Sequence, residues 1–455
     1  MMFETMQKIL ANVDCSYADL RYEEMKDEAI LFKGPELTRI GSNSTSGYVV
    51  RVLKNGGLAS VAFTNLKDAE KALLRATENA LLMGSQRRKP VELARVKPVQ
   101  GMYQPELKED PRTISLSEKL DLIRTYNDIP LQHENIVTTI TYYHELIREK
   151  YFINTEGSRL KEDMITTQLY AVIKSQDGTN IQDIAFAIGG SNGFSKIRHR
   201  ESLFEQRSRV ALDLLKAEPV SGGVYNCLLD PELAAVFTHE AFGHFSEADI
   251  IENLPALRAK MQRGAPIGSE KLSITDDATL TEHLGAYKYD DEGIPARPVA
   301  LMTGGVLTGR LHSRRTAVEF DEPLSGHCIA QDYRYAPIVR MGTIFIEPGG
   351  HSFEHLLQDL GSGLYLIESN GGETSGENFT FGAQYGYHIK NGKLGKMIRD
   401  INISGNLYQS LKDITAIGKE LVISEAGGCG KGQSNIHSCM GSPPVLIKNL
   451  VIGGV

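Results

Sequence analysis

YVVRVLKNGGLASVAF, residues 48–63, sets the fold of the amino-terminal half. Its β-branched and aromatic residues fall in two runs. Asn55-Gly56 between them is the strongest short hairpin signal, because both residue types tolerate the positive φ of a tight turn. Upstream, EAILFK (28–33) and a return through LTRIG (37–41) read as further strands. Downstream, NLKDAEKALLRATENALL (65–82) has helical periodicity, with Asn65 placed to cap it. The opening MMFETMQKILANVD spaces its apolar residues as an amphipathic helix.

The arrangement returns in YFINTEG (151–157), TTQLYAVIKSQDGTNIQDIAFAI (166–188) and the helical SLFEQRSRVALDLLKA (202–217). Tyr48-Val49-Val50 before Asn55-Gly56 is matched by Tyr170-Ala171-Val172 before Asp177-Gly178, and the hairpins end in Ala62-Phe63 and Ala185-Phe186. We read a degenerate duplication of a strand–hairpin–helix unit. Between the copies, residues 86–113 hold prolines and charges without periodicity, which predicts a long connection. A boundary falls at AEPVSGGV (217–224). The expected architecture is α+β: an N-terminal α/β domain over 1–218 and a C-terminal domain over 219–455. The second is rich in β-like runs such as ARPVALMTGGVLTGRL (296–311), YGYHIKNGKLGKMI (385–398) and PPVLIKNLVIGG (443–454). They predict a largely antiparallel, distorted barrel-like domain carrying one prominent helix.

With 455 residues, 41% hydrophobic and 23% charged, the chain has the composition of a globular protein. Fifty-seven acidic against 49 basic residues argue against a broad phosphate-binding face, so no direct nucleic-acid binding is expected. No apolar run reaches the ~18–20 residues of a membrane span. The amino terminus lacks the basic-then-apolar pattern of a secretory signal. Five scattered cysteines (Cys15, Cys227, Cys328, Cys429, Cys439) are not a disulfide framework. A reducing cytoplasm is the expected compartment, and a special cysteine reads as ligand or nucleophile.

The chemistry concentrates in the helix opened by Asp230-Pro231-Glu232, which is well suited to N-cap, first turn and dipole. LAAVFTHEAFGHFSEADII (233–251) places His239, Glu240 and His244 among Ala, Phe and Val. Polar groups buried there without partners are costly. Either histidine alone reads more readily as a core histidine bonded to a carbonyl than as a ligand; the cluster is what points to metal. In HExxH zinc proteases the two histidines lie ~40° apart around the helix. Here the spacing is five, which on a regular α-helix separates them by about 140°. A π-bulge at Gly243, with about 4.4 residues in the turn, returns them to roughly 50°. The alternatives are thus a distorted helix or independent histidines, and a Glu directly after the first His favours distortion, since a base for water belongs there. A third ligand is needed from elsewhere. Glu247, Asp249, another histidine or a cysteine are candidates, and Cys429 in SEAGGCGKGQS (424–434) has flanking glycines that permit close backbone approach. That segment is not a phosphate-binding P-loop, because Gly432 stands where Ser or Thr is required.

HEAFGH, the late GCGKGQS and the closing PVLIKNLVIGG together resemble the TldD/PmbA metallopeptidases, sometimes called modulators of DNA gyrase. GIPARPVALMTGGVLTGRLHSRRTA, APIVRM and NGGETSGENFTFGAQYGYHIKNGK extend the resemblance over most of 219–455, and more faintly into the first half. One branch of that family carries the metal motif and cleaves peptides; the other lacks it and serves as a partner. This chain resembles the first. The resemblance implies His239, His244 and Cys429 as zinc ligands and Glu240 as general base. It implies an unfolded or extended peptide as substrate, held as an added strand, and a homodimer or a heterodimer with a PmbA-like paralogue. HFSEAD and SNIHSCMGSPP depart from the family pattern, which raises His437 and Cys439 as shapers of a substrate pocket or rival ligands, although a loop role without chemistry is the favoured reading. His351, His388 and Tyr385 are candidate donors to a developing oxyanion. Peptide deformylases use the same ligand types with Fe(II), which leaves the metal open between zinc and iron, although their spacing and short chains differ. A non-catalytic partner of a gyrase-modulator-like complex is the alternative from another class.

Overall fold

The computed structural model describes residues 2–11, 13–425, 427–434 and 437–453. The first half comprises α1 (Met2–Leu10), β1 (Tyr17–Lys33), β2 (Glu36–Lys54), β3 (Gly57–Phe63) and α2 (Ala69–Gln86). It continues through β4 (Gln100–Tyr103), α3 (Leu116–Leu131), β5 (Ile136–Asn154), β6 (Arg159–Asp177), β7 (Asn180–Gly190) and α4 (Glu201–Leu214). All seven strands join one sheet, ordered β3-β2-β1-β5-β6, with β7 and β4 both on the outer edge of β6. The duplication is visible as β1-β2-β3-α2 and β5-β6-β7-α4, joined where β1 and β5 run antiparallel. In the first copy Lys54 faces Gly57, and Asn55 (φ 48°) with Gly56 (φ 74°) forms the expected tight turn. In the second, Asp177 faces Asn180 around Gly178 at φ 60°. Three elements exceed the expectation: β5 begins at Ile136, well before Tyr151, α3 is an additional helix capped by Ser115, and the connection over 86–113 contributes β4 to the edge of β6.

Alternation along β1 gives the sheet two chemically different faces. Leu20 and Tyr22 pack with Val50, Val52, Ala72 and Ala76 beneath α2. Asp19, Arg21 and Glu23 point the other way, toward the turn at 290–293. There Arg21 meets Asp291 at 3.2 Å, Lys150 meets Asp291 at 3.0 Å and Arg51 meets Glu292 at 2.7 Å. Such charges are tolerated away from water because each finds an opposite partner.

The second half begins with β8 (Glu218–Pro219), β9 (Gly223–Leu229) and α5 (Pro231–Ala241). Strands β9, Val445–Gly453, Ile401–Asn406, Asn378–Lys390 and Gly363–Ser375 pair in that order, and the last pairs back onto β9. The ring is therefore closed, as the barrel-like reading expected, and only the β9 contact with Gly363–Ser375 is parallel. Phe237 of α5 packs edge-on against Phe379 at 5.5 Å, within a core that also holds Leu233, Leu366 and Ile403. Among the described residues no helix is long and apolar enough to cross a membrane.

Three carboxylates surround the start of α5. Asp230 accepts from the Leu233 and Glu368 amides at 2.9 and 3.0 Å, while Glu368 pairs with Arg207 of α4. Burial pushes Asp230 up to about 7. Burial, then the charges of Glu368 and Asp230, pushes Glu232 up to about 8. A carboxyl raised in the fold holds its proton while the unfolded chain loses it. Stability from that group is present below about pH 4 and falls as pH rises toward 8. Glu232→Gln should therefore leave the melting temperature nearly unchanged near pH 4 and raise it at about pH 8. Thermal unfolding across pH tests this, and parallel profiles would refute it.

Candidate metal centre

Helix α5 starts with Asp230 as N-cap and Pro231 at its first position, and buries Leu233, Ala234, Phe237 and Ala241. This fixes its rotation, so that His239, only 2% exposed, faces inward. The helix does not continue to the second histidine. It ends at Ala241, Phe242 leaves helical geometry at φ −133°, and Gly243–Ser246 forms a tighter 3₁₀ turn. The expected distortion is thus a helix end followed by a tight turn, not a π-bulge. Gly243 lets neighbours pack closely: a Cβ there would lie 2.4 Å from Met341 Sδ and 3.2 Å from Ile344 Cδ1, so these side chains would have to move. The turn brings the two imidazoles together, with ring centroids 4.9 Å apart at 86°.

Cys429 completes the group from a loop far along the chain. Its Sγ lies 3.1 Å from His239 Nε2 and 3.5 Å from His244 Nε2. The loop comes this close because Gly427 and Gly428 have no side chain. A Cβ on Gly427 would meet Ser438 O at 2.1 Å, and Gly428 adopts φ 118° while donating to Ser438 O at 3.0 Å. One donor atom from each of His239, His244 and Cys429 falls within 4.8 Å of the others, an arrangement that can hold a metal ion. Tetrahedral zinc with Zn–N ~2.05 Å and Zn–S ~2.3 Å separates its N and S donors by about 3.5 Å. The donor set, two imidazoles and a thiol, is equally that of a borderline-soft ion. The residues present fit zinc.

The surroundings set the charge on the ligands. Burial works against the Cys429 thiolate, but hydrogen bonds from His239 and His244, with the charge of Arg340, outweigh it and pull the thiol down to about 5. Burial likewise disfavours charge on His244, yet its bonds to Cys429 and Glu247 raise it to about 10. His244 Nδ1 lies 3.3 Å from Glu247 Oε2, the outer carboxylate contact that orients a metal-binding imidazole. Glu247 is fully buried; burial is overcome by His244, Lys431 and Arg340, which hold it near about 2. Its expected candidacy as a third ligand is therefore replaced by a supporting role, and Asp249 is held by Lys431 at 2.7 Å.

Glu240 stands beside the group, with Oε2 4.0 Å from His244 Nε2. Thr374 Oγ1 lies 3.0 Å from that carboxylate oxygen and 2.7 Å from the Glu240 carbonyl. Gly372 packs alongside, where a Cβ would sit 3.3 Å from Glu240 Cγ. The candidates His351, His388 and Tyr385 are placed elsewhere. His351 Nδ1 faces Ile417 O at 3.3 Å, His388 lies opposite Leu364 on the barrel wall, and Tyr385 packs in the core beneath α3 and α4. His437 lines a cavity of about 490 Å³ beside His144, Arg148 and Gly428, and Cys439 Sγ donates to Ser424 O at 3.0 Å; neither joins the ligand group. Thr374, Arg340 and Lys431 were missed by sequence reasoning. Only Lys431, two residues beyond Cys429, carried a local signal.

Three models of PmbA/TldA metallopeptidase domains match the chain: domain 1 over residues 18–83, the central domain over 109–216 and the C-terminal domain over 222–454. A metalloprotease from Synechocystis is 32% identical over 96% of this chain and 95% of its own length. The chain belongs to the PmbA/TldD metallopeptidase family. A zinc metalloprotease TldD homolog from Saccharolobus solfataricus is 27% identical, with both chains covered in full. Among solved structures, a candidate modulator of a DNA gyrase from Thermotoga maritima superposes with a TM-score of 0.81 at 20% identity, again with full coverage of both chains, and shares the fold.

Proposed function

We propose that this chain is a zinc-dependent peptidase that hydrolyses peptide bonds in unfolded or extended peptides. The observation that carries the reading is the convergence of His239 Nε2, His244 Nε2 and Cys429 Sγ beside Glu240. Zinc held by these three side chains would supply Lewis acidity to the scissile carbonyl and to an attacking water, whose pKa falls toward ~7. Glu240 Oε2 takes the proton from that water as the oxygen adds to the carbonyl carbon, then delivers it to the leaving amine nitrogen. Thr374 holds the carboxylate in place for both transfers.

An extended peptide fits the neighbouring strand. Gly363–Ser375 pairs with β9 only over Leu364–Leu366, so on that side residues 367–375 have no strand partner among the described residues. This edge runs past Glu240, where main-chain pairing would align a substrate with little demand on its sequence. A dimer, with itself or with a paralogue lacking the motif, is part of the same proposal. Val224 and Val451, partners across β9 and the closing strand, stand 65% and 47% exposed on the barrel's outer wall. The cytoplasm is the proposed compartment.

The test is cleavage of an unstructured peptide pool by the full chain, before and after metal removal with a chelator. We expect activity to vanish and to return with stoichiometric zinc. A zinc-replete chain that cleaves nothing would replace the peptidase with the partner-protein reading; recovery with Fe(II) alone would change the metal.

A further inference from the structure

The loop that carries Cys429 is fastened at several points, and the fastening converges on the other histidine ligand. Lys431 Nζ donates to Asp249 Oδ1 at 2.7 Å and to the Val339 carbonyl, and lies 3.1 Å from Glu247 Oε2. That Glu247 oxygen is the one facing His244 Nδ1. Asp249 is itself fixed, its Oδ2 accepting from the Val339 amide at 3.1 Å. Arg340, fully buried, comes within 3.6 Å of the other Glu247 oxygen. Farther along, Gln433 Oε1 accepts from the Gln331 amide at 2.9 Å and Gln433 Nε2 donates to Ala336 O at 2.7 Å. Ser434 N donates to Gln331 Oε1 at 2.8 Å. The Gln433 and Ser434 contacts hold the far side of the loop to the 331–336 segment, while among the described residues Lys431 alone ties it to the carboxylates beneath His244.

Resting on the metal-centre reading above, we propose that Lys431 is a positioning residue that docks the Cys429 loop on Glu247 and Asp249, so that the thiolate arrives only where His244 is already oriented. The chemistry suits the task. An ammonium is a compact charge with three donors, and Lys431 offers them to two carboxylates and a carbonyl. Cys429 stands two residues away on a backbone of glycines that cannot hold a conformation by themselves. The thiol contributes a ligand from a loop, whereas both imidazoles come from α5 and the turn that follows it. Without the ammonium, both histidines keep their places on α5 and its turn, with Arg340 still opposite Glu247, while the sulfur loses the tie that aims it at them.

Cobalt(II) in place of zinc tests this, because a thiolate ligand gives a near-ultraviolet charge-transfer band that imidazoles alone do not. The full chain should show the band, and Cys429→Ser should lose it; if the parent lacks it, the metal-centre reading itself fails. With that established, Lys431→Met should fold with a circular dichroism spectrum like the parent's and bind cobalt with most of the charge-transfer band lost. Its zinc affinity should fall about 10–100-fold, as when a supporting partner of a ligand is removed. A full band with affinity within about threefold of the parent would overturn the proposal. Asp249→Asn, which leaves Lys431 opposite Glu247, serves if Lys431→Met does not fold. It should reduce the band in the same direction, and an unchanged band would count equally against the latch.

Discussion

Glu240→Gln should lower peptide cleavage by roughly 10²–10⁴-fold, the usual contribution of a positioned general base, with zinc content unchanged. The substitution keeps shape and size. It also leaves the bond from Thr374 to the residue's own carbonyl, 2.7 Å long, so the local backbone has no cause to move. What is removed is an oxygen able to accept a proton 4.0 Å from His244 Nε2. Single-turnover cleavage of an unstructured fluorogenic peptide, read beside zinc per chain and melting temperature, separates the outcomes. Cleavage near the parent rate would take Glu240 out of the mechanism. Loss of both cleavage and zinc would assign it a metal-holding role instead.

Cys429→Ala should reduce bound zinc from about one per chain to near none. Two imidazoles cannot complete a stable site of this kind, and the lost ligand is the one that is anionic at neutral pH, its thiol pulled down to about 5. The fall should exceed the roughly 10–100-fold that removal of an outer hydrogen-bonding partner produces. Cys439→Ala is the matched control. That thiol is buried, bonded to Ser424 O and pushed up to about 11, so it stays protonated and its loss should leave zinc unchanged. Elemental analysis of chelator-free preparations measures both, and full zinc retention in Cys429→Ala would dissolve the three-ligand site.

The parts of this protein legible from local pattern are those where short-range physics decides. Asn55-Gly56 specifies its hairpin because few other residue pairs tolerate two positive φ values in succession. Asp230-Pro231-Glu232 specifies a helix start for similar reasons. The strand from Ile136 was missed in its first part although IVTTITYY (136–143) is rich in β-branched and aromatic residues; the charged HELIREK that follows (144–150) hides its continuity with Tyr151. Arg148 and Lys150 look like solvent-exposed residues until Glu23 and Asp291 are placed beside them. The same holds for Glu247, which reads as a metal ligand from sequence distance alone. In the fold it points its oxygens at His244, Lys431 and Arg340.

By itself the sequence determined the duplicated strand–hairpin–helix plan, the α+β class, the placing of His239 and Glu240 on one helix with His244 close behind them, and Cys429 as the glycine-flanked thiol. These follow from periodicity, capping and backbone tolerance, all of which act within a few residues. Tertiary structure alone decided that α5 ends at Ala241 and that Met341 and Ile344 pack closely against Gly243. It also decided which acid supports His244, and that Thr374 and Lys431 serve groups 134 and 182 residues away. Such contacts depend on which surfaces the closed barrel presses together, and no local pattern encodes that.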